Sequence, residues 1–207
     1  MLEFSPDSGQ LAWTGEKQLY VVDLVNQDST LRSFLLPGLA DCAAWSPDGN
    51  TIVAGGKFGT LVELNLKTGI LDTIADYGNS AGAVRFSDDG QRIISGHDDG
   101  SVRIRTRLDG SMKSLHLHRS LVRSIALSHD GRIGVSADAD GNLAVWLVET
   151  GERIGMLRNE PWLTSTSGVL RPAIFFTPND TQFRMLFETP KRGLALRTWD
   201  LQPTPPK

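Results

Sequence analysis

Three groups of residues in this chain carry types and spacings that could do chemistry. Asp138-Ala139-Asp140-Gly141-Asn142, with Glu149 at the twelfth place, has the carboxylate spacing of a calcium-binding loop. Leu143, however, stands where such a loop needs a glycine for its sharp turn, and no flanking helix is visible. His116 and His118 are two apart, hence on one face of a strand, and with His129 or an aspartate they could hold a metal ion. Ser128, His129 and Asp130 are the residue types of a nucleophilic triad, but adjacency in sequence is not triad geometry. Cys42 precedes Ala43-Ala44-Trp45 and reads as a small core residue rather than a nucleophile. Arg103, Arg105 and Arg107 alternate along one strand, with Lys113, Arg119 and Arg123 nearby. The acids Asp88, Asp89, Asp98, Asp99 and Asp109 turn that cluster into a mixed solvated surface. No nucleophile elbow, phosphate loop or dinucleotide fingerprint is present. No catalytic, cofactor-binding or metal-binding residue is assigned, and no cofactor is expected.

The elements that position these residues are set by a repeat. Phe4-Ser5-Pro6-Asp7, Trp45-Ser46-Pro47-Asp48-Gly49, Phe86-Ser87-Asp88-Asp89-Gly90, Leu127-Ser128-His129-Asp130-Gly131 and Phe176-Thr177-Pro178-Asn179 are versions of one segment. Their anchors step by 41, 41, 41 and 49 residues. Thr68-Gly69, Asp109-Gly110 and Thr150-Gly151 keep the same 41-residue step. Each unit reads as four short strands. An apolar alternation such as Ala83-Val84-Arg85-Phe86 enters the anchor turn. Strands such as Arg92-Ile93-Ile94-Ser95 and Val102-Arg103-Ile104-Arg105 follow, separated by a Gly-containing turn (Asp99-Gly100), and a weaker fourth strand closes the unit. No segment sustains a 3.6-residue period, so almost no helix is expected.

The bulk numbers narrow the class. The 207 residues carry a net charge of -3, which argues against binding driven by nucleic-acid phosphates. A single cysteine excludes an intrachain disulfide framework and a multi-cysteine zinc site. No apolar run approaches the ~18 residues of a membrane span. No secretory signal is visible, so a cytoplasmic location is expected.

The anchor Trp45-Ser46-Pro47-Asp48-Gly49, the run Ser95-Gly96-His97-Asp98-Asp99-Gly100-Ser101-Val102, and the ends Val145-Trp146 and Thr198-Trp199-Asp200-Leu201 resemble the WD-repeat family. The resemblance implies an all-β fold: a β-propeller of four-stranded antiparallel blades, about five WD-like repeats, with the ring incomplete. The expected blades are approximately 1–38, 39–78, 79–118, 119–160 and 161–202, followed by a disordered Pro-rich tail, 203–207.

Family blades are locked by a hydrogen-bonded set of His, Ser or Thr, Asp and Trp. The unit that matches best supplies His118, Ser136, Asp140 and Trp146, with His118 expected to donate to Asp140 and accept from Ser136. The other units depart from that pattern. Val22, Leu64 and Arg105 stand at the Trp position, Glu16 and Phe58 at the Asp position, and Tyr77 and Ser167 at the His position. Apolar packing of Leu64 and Phe58 is expected to replace the lock in one blade, and an Arg105–Asp99 pair to replace it in another.

The function implied by the resemblance is that of a non-catalytic protein–protein interaction scaffold. Partners are expected on the top face, at Lys57, Asn79, His97, Asp98, Arg119, Ser120 and Asp138. Protein partners are expected, with no nucleic acid and no membrane. The alternatives are a fragment of a larger propeller, with missing blades supplied by another chain or segment or by self-association, and a propeller enzyme of the lactonase or peptidase-associated type. That enzyme would need several acids and histidines converging on the channel. Trp162, in the insertion Asn159–Gly168, is either a plug over a blade or a binding anchor.

Overall fold

The computed structural model describes residues 2–25, 30–157, 173–188 and 194–201; Trp162, Ser167 and the tail 203–207 lie outside them. Apart from one short 3-10 turn, all the regular secondary structure of the described residues is strand. The first sheet is β1 (Leu2–Phe4), β2 (Gln10–Thr14), β3 (Gln18–Asp23) and β4 (Leu31–Leu35). The second is β5 (Ala40–Trp45), β6 (Thr51–Gly56), β7 (Thr60–Asn65) and β8 (Leu71–Asp76). The third is β9 (Ala81–Phe86), β10 (Arg92–His97), β11 (Ser101–Thr106) and β12 (Met112–His116). The fourth is β13 (Val122–Leu127), β14 (Ile133–Asp138), β15 (Leu143–Leu147) and β16 (Arg153–Leu157). The fifth has three strands among the described residues: β17 (Ala173–Phe176), β18 (Gln182–Glu188) and β19 (Leu194–Asp200). Every sheet is an antiparallel meander in chain order. One short 3-10 turn, Lys57–Gly59, joins β6 to β7.

The repeated marker has a physical cause that its proline and glycine only partly explain. In every blade its Ser or Thr hydroxyl bridges the turn. Ser46 Oγ donates to Asp48 Oδ1 at 2.5 Å and accepts from the Thr51 amide at 3.0 Å. Ser5, Ser87, Ser128 and Thr177 do the same with Asp7, Asp89, Asp130 and Asn179. These hydroxyls are buried, so each must find a partner, and the turn supplies it. The Asp48 carboxyl is held down to about 2, chiefly by hydrogen bonds from Asn50 and Ser46.

Strand parity divides each sheet into two faces, and successive sheets pack face to face around their innermost strands. Ala43, Trp45, Ile52, Val62 and Leu64 of the second blade pack on Ala12, Leu19 and Val21 of the first. Its opposite face, Cys42, Ala44, Val53 and Leu61, packs on Val84, Phe86 and Ile93 of the third. The same register joins the third blade to the fourth and the fourth to the fifth. Full burial of each such aliphatic side chain contributes about 1.5–3 kcal/mol, so the junctions rather than the single sheets carry the fold. Within the fourth blade, Gly134 leaves room for its cross-strand partner Trp146, which packs at the junction with the third blade: a Cβ there would lie 2.3 Å from the Trp146 ring.

At one edge of the blades, the turns between second and third strands press on the incoming loop of the next blade. A Cβ at Gly59 would meet Asn79 O at 2.5 Å, and one at Gly100 would meet His118 O at 2.3 Å. Both glycines have φ of 78°, the left-handed region that a side chain disfavours. Phe58, beside Gly59, also has a positive φ, 72°, at a cost on the order of 1–3 kcal/mol for a non-glycine residue.

Candidate functional site: the turn edge of the blades

At this edge, one locus recurs in three consecutive blades, 41 residues apart, with different occupants. It is built from the loop entering the blade, two alternate positions at the end of the second strand, and one on the third strand. In the second blade these are Leu36, Ala54, Gly56 and Val62. In the third they are Tyr77, Ser95, His97 and Arg103. In the fourth they are His118, Ser136, Asp138 and Ala144.

In the fourth blade, His118 is buried, its Nδ1 3.0 Å from Asp138 Oδ2 and its Nε2 2.7 Å from Ser136 Oγ. A carboxylate only accepts, so Nδ1 carries a proton and donates it to Asp138. Asp138 also accepts from the backbone amides of Asp140 and Asn142 and from Asn142 Nδ2. Burial alone would raise this carboxyl, but the hydrogen bonds from His118 and Asn142 outweigh it and hold the group below its ordinary value.

The histidine's carboxylate is therefore Asp138 and not Asp140, which is exposed in the turn. Ser136 and Asp138 are two residues apart on β14 and so share a face, whereas Asp140 lies past the strand's end. Trp146 is fully buried, but its Nε1 has no acceptor among the described residues. It packs and does not join the polar set.

In the third blade, Arg103 is buried and its Nη2 lies 2.9 Å from Asp99 Oδ2. Its guanidinium carbon sits 4.5 Å from the Tyr77 ring centroid. His97, fully buried, places Nε2 2.8 Å from Ser95 Oγ and Nδ1 3.2 Å from the Asn79 carbonyl oxygen. A carbonyl only accepts, so Nδ1–H donates to it, and the Ser95 hydroxyl can donate to an unprotonated Nε2. Burial and the adjacent Arg103 charge push its pKa down to about 4.

The expected Arg105–Asp99 pair is replaced by Arg103–Asp99, because Arg103 is the residue nearer the turn. Arg105 instead donates to the Gly110 carbonyl at 2.8 Å. Arg107 pairs with Glu63 and lies over the Phe86 ring. The three alternating arginines thus have three separate attachments and form no common patch.

In the second blade the locus is apolar, through Leu36, Ala54, Val62 and the neighbouring Leu64, all buried. Phe58 takes no part in it. Its side chain is 73% exposed.

The expected docking residues divide accordingly. Lys57, Asp98 and Arg119 are exposed, and Asn79 and Ser120 half-buried, along this edge. His97 and Asp138 are buried and occupied within their blades, and so cannot contribute to an exposed surface. Ser128 Oγ is bound to Asp130 and His129 Nδ1 to Asp180 at 2.8 Å, so no serine–histidine pair forms between them. His116 is exposed, apart from buried His118. Cys42 is buried with Sγ 3.2 Å from the Gly55 carbonyl oxygen. Among the described residues no cluster of three or more metal-ligating groups forms, and no helix is long and apolar enough to cross a membrane.

The innermost strands surround a cavity of about 680 Å³. Glu3, Asp41, Arg85 and Arg123 are its charged lining, and Glu3 pairs with Arg85 at 2.9 Å. No histidine lines it.

Comparison with known proteins adds a likeness. The model of the WD domain, G-beta repeat, matches residues 73–105, from the last strand of the second blade through the third strand of the third, and residues 110–146, from the last strand of the third blade into the third strand of the fourth. WD repeat-containing protein SL1-17 of Schistosoma mansoni is 30% identical over 112 residues, covering 54% of this chain and 37% of that protein. COMPASS component SWD3 of Saccharomyces cerevisiae is 25% identical over 173 residues, 81% of this chain and 54% of that protein. Angio-associated migratory cell protein of Homo sapiens is 26% identical over 161 residues, 76% of this chain and 37% of that protein. The chain thus spans between about a third and about half of these relatives. With its 41-residue period, its four-stranded meanders and two matched repeats, the chain is similar to WD-repeat proteins.

Proposed function

We propose that this chain is a non-catalytic protein–protein interaction scaffold that receives partners on the turn edge. One observation carries the reading: the blade framework repeats every 41 residues while the residues on its turns change at each step. Lys57 gives way to Asp98 and then Ala139, on identical strand registers. A rigid frame with variable tips is how loops carry recognition. COMPASS component SWD3 is by its name part of an assembly, which supports the same reading. Lys57, Asp98 and Arg119, with Asn79 and Ser120 beside them, are the proposed contacts, and the proposed location is cytoplasmic.

The test is charge reversal. Proteins crosslinked to the wild-type chain in its host extract should be lost from a Lys57→Glu, Asp98→Lys, Arg119→Glu variant whose circular dichroism is unchanged. An identical set of crosslinked proteins would refute the surface.

A second reading, that further blades lie against this chain, rests on its two outer sheet faces. Parity puts Leu2, Phe4, Leu11, Trp13, Tyr20 and Val22 on the face that later blades turn toward their predecessor. Leu2 and Phe4 are 60% and 58% exposed, whereas Ala43 and Trp45, at the same positions in the second blade, are 5% and 8% exposed. On the opposite outer face, Phe175, Leu186, Leu194 and Leu196 are exposed. Faces of this kind associate. Light scattering should show concentration-dependent association of the 207-residue chain, suppressed by Phe4→Glu; a monodisperse wild-type chain at all concentrations would remove this reading.

A further inference from the structure

We propose that His129 and Asp180 form a proton-operated clasp that holds the fifth blade on the fourth, tightest in mildly acid solution and looser above neutrality. The clasp is independent of the scaffold reading. Its locus recurs between neighbouring anchor turns, where the second residue of one turn lies toward the fourth residue of the next. Between the first and second blades these are Pro6 and Gly49, and a Cβ on the glycine would lie 3.9 Å from Pro6 Cδ. Between the second and third they are Pro47 and Gly90, at 3.7 Å. Between the third and fourth they are Asp88 and Gly131, and a Cβ on this glycine would meet nothing within 4 Å.

Between the fourth and fifth blades both positions change together, to His129 and Asp180. Asp180 Oδ1 accepts from the His129 amide at 3.0 Å and lies 2.8 Å from His129 Nδ1, and Oδ2 accepts from the Asp130 amide at 3.1 Å. A carboxylate only accepts, so Nδ1 carries a proton. The two departures need each other: a proline at 129 would offer no amide or ring donor, and a glycine at 180 no side-chain acceptor. Asp180 takes a φ of 54°, in the left-handed region where Gly49, Gly90 and Gly131 stand at 68°, 67° and 69°. Asn179 closes the fifth-blade turn with Thr177 and Thr181, so both Asp180 oxygens are spent on the fourth blade.

The His129 side chain is 53% exposed, so it exchanges its proton with solvent directly. The charged groups around it come from three blades. Asp88, Asp89 and Arg92 of the third blade, with Asp130, Arg132 and Glu149 of its own, line one hollow of about 320 Å³. Arg132 is paired with Asp130 at 2.6 Å, Lys113 Nζ caps the Glu149 carbonyl at 2.8 Å, and Arg107, bound to the Gly90 carbonyl, is paired with Glu63. Asp180 approaches from the fifth blade. The hydrogen bond with Asp180, and then the charges of Asp180, Asp88 and Asp130, outweigh partial desolvation and raise the ring's pKa above the ordinary 6.5. Burial alone would raise Asp180, but hydrogen bonds from the His129 amide and ring and from the Asp130 amide outweigh it and hold the carboxyl below 3.8. The histidine's hold is therefore complete below pH 6.5 and is lost as the pH rises through its raised value. The carboxylate's hold is complete above pH 3.8 and is lost as the pH falls from there through its lowered value. Between these limits both charges are present. Above neutrality the neutral ring still donates from Nδ1, so the clasp loosens without breaking.

Two measurements on the whole chain test the clasp. In histidine NMR titration, the His129 midpoint should lie above 6.5 and fall toward it in Asp180→Asn. In hydrogen exchange, the β17 and β18 amides of the wild type are compared with those of the double variant His129→Pro, Asp180→Gly, which restores the residue pair of the first two junctions. Comparing the two chains at the same pH cancels the intrinsic pH dependence of exchange. The wild type should exchange roughly two- to fivefold more slowly at about pH 6, and the ratio should shrink at about pH 8.5. His129→Gln keeps a side-chain donor without the titration; it replaces the double variant if that chain does not fold, and its ratio to wild type should follow the same trend. A wild-type midpoint at or below 6.5, or one that Asp180→Asn leaves unmoved, would overturn the clasp. So would an exchange ratio that does not change with pH, which would reduce the contact to packing.

Discussion

The third and fourth blades solve one packing problem with opposite charges. Each must fill the space where an incoming loop meets the ends of its second and third strands. The fourth blade puts an anion at the centre: Asp138, buried, satisfied by His118, Asn142 and the turn amides. The third puts a cation there: Arg103, satisfied by Asp99 and the Tyr77 ring, with His97 kept neutral beside it. The partners differ in a way that sets the energetics. Asp138 and His118 have no side-chain exposure, whereas the Asp99 side chain is 30% exposed. Breaking the first pair strands a buried group, while breaking the second returns a carboxylate to water.

The sharpest break in this comparison is Asp138→Ala. It leaves buried His118 with an unmatched donor and should cost about 3–5 kcal/mol, read as a drop in urea midpoint at unchanged slope. A cost below about 1 kcal/mol would mean the fourth-blade set is no more critical than its neighbour.

Next comes pH. The His97 pKa is about 4 in the folded chain against 6.5 for the free side chain, so below 6.5 the unfolded state binds the extra proton. Its stabilisation is complete above about pH 6.5 and is lost as the pH falls toward 4, by about 3 kcal/mol in all. Histidine NMR titration should find this ring neutral at pH 5. A midpoint near 6.5 would place it in water and undo the third-blade geometry.

The smallest effect is expected from Arg103→Met, about 1 kcal/mol or less, since Asp99 hydrates and the methionine fills the space. The same change removes the cation beside His97, so the His97 midpoint should move up. A fixed midpoint would assign its depression wholly to burial.

Much of the fold was legible from local chemistry. The recurring Ser-Pro-Asp-Gly turns and the alternation around them are short-range signals, and they placed five sheets and the 41-residue step. Asp138 was within reach too. Its two-residue spacing from Ser136 puts both on one strand face, a stronger guide than the Asp-Gly turn that pointed to Asp140. Arg103 was within reach in the same way: it shares a face of β11 with Arg105 and is the nearer of the two to the Asp99 turn along the chain. Phe58 shows the limit, because periodicity marks its position but says nothing of its positive φ or its exposure.

By itself, then, the sequence determined the period, the strand count per unit and the turn chemistry, because each depends on residues a few positions apart. The occupants of each locus, which carboxylate is buried and which aromatic is left in water were decided by tertiary structure. Those contacts join a loop, a strand end and a third strand drawn from across some 26 residues, from Tyr77 to Arg103 or His118 to Ala144, and only register and burial bring them together.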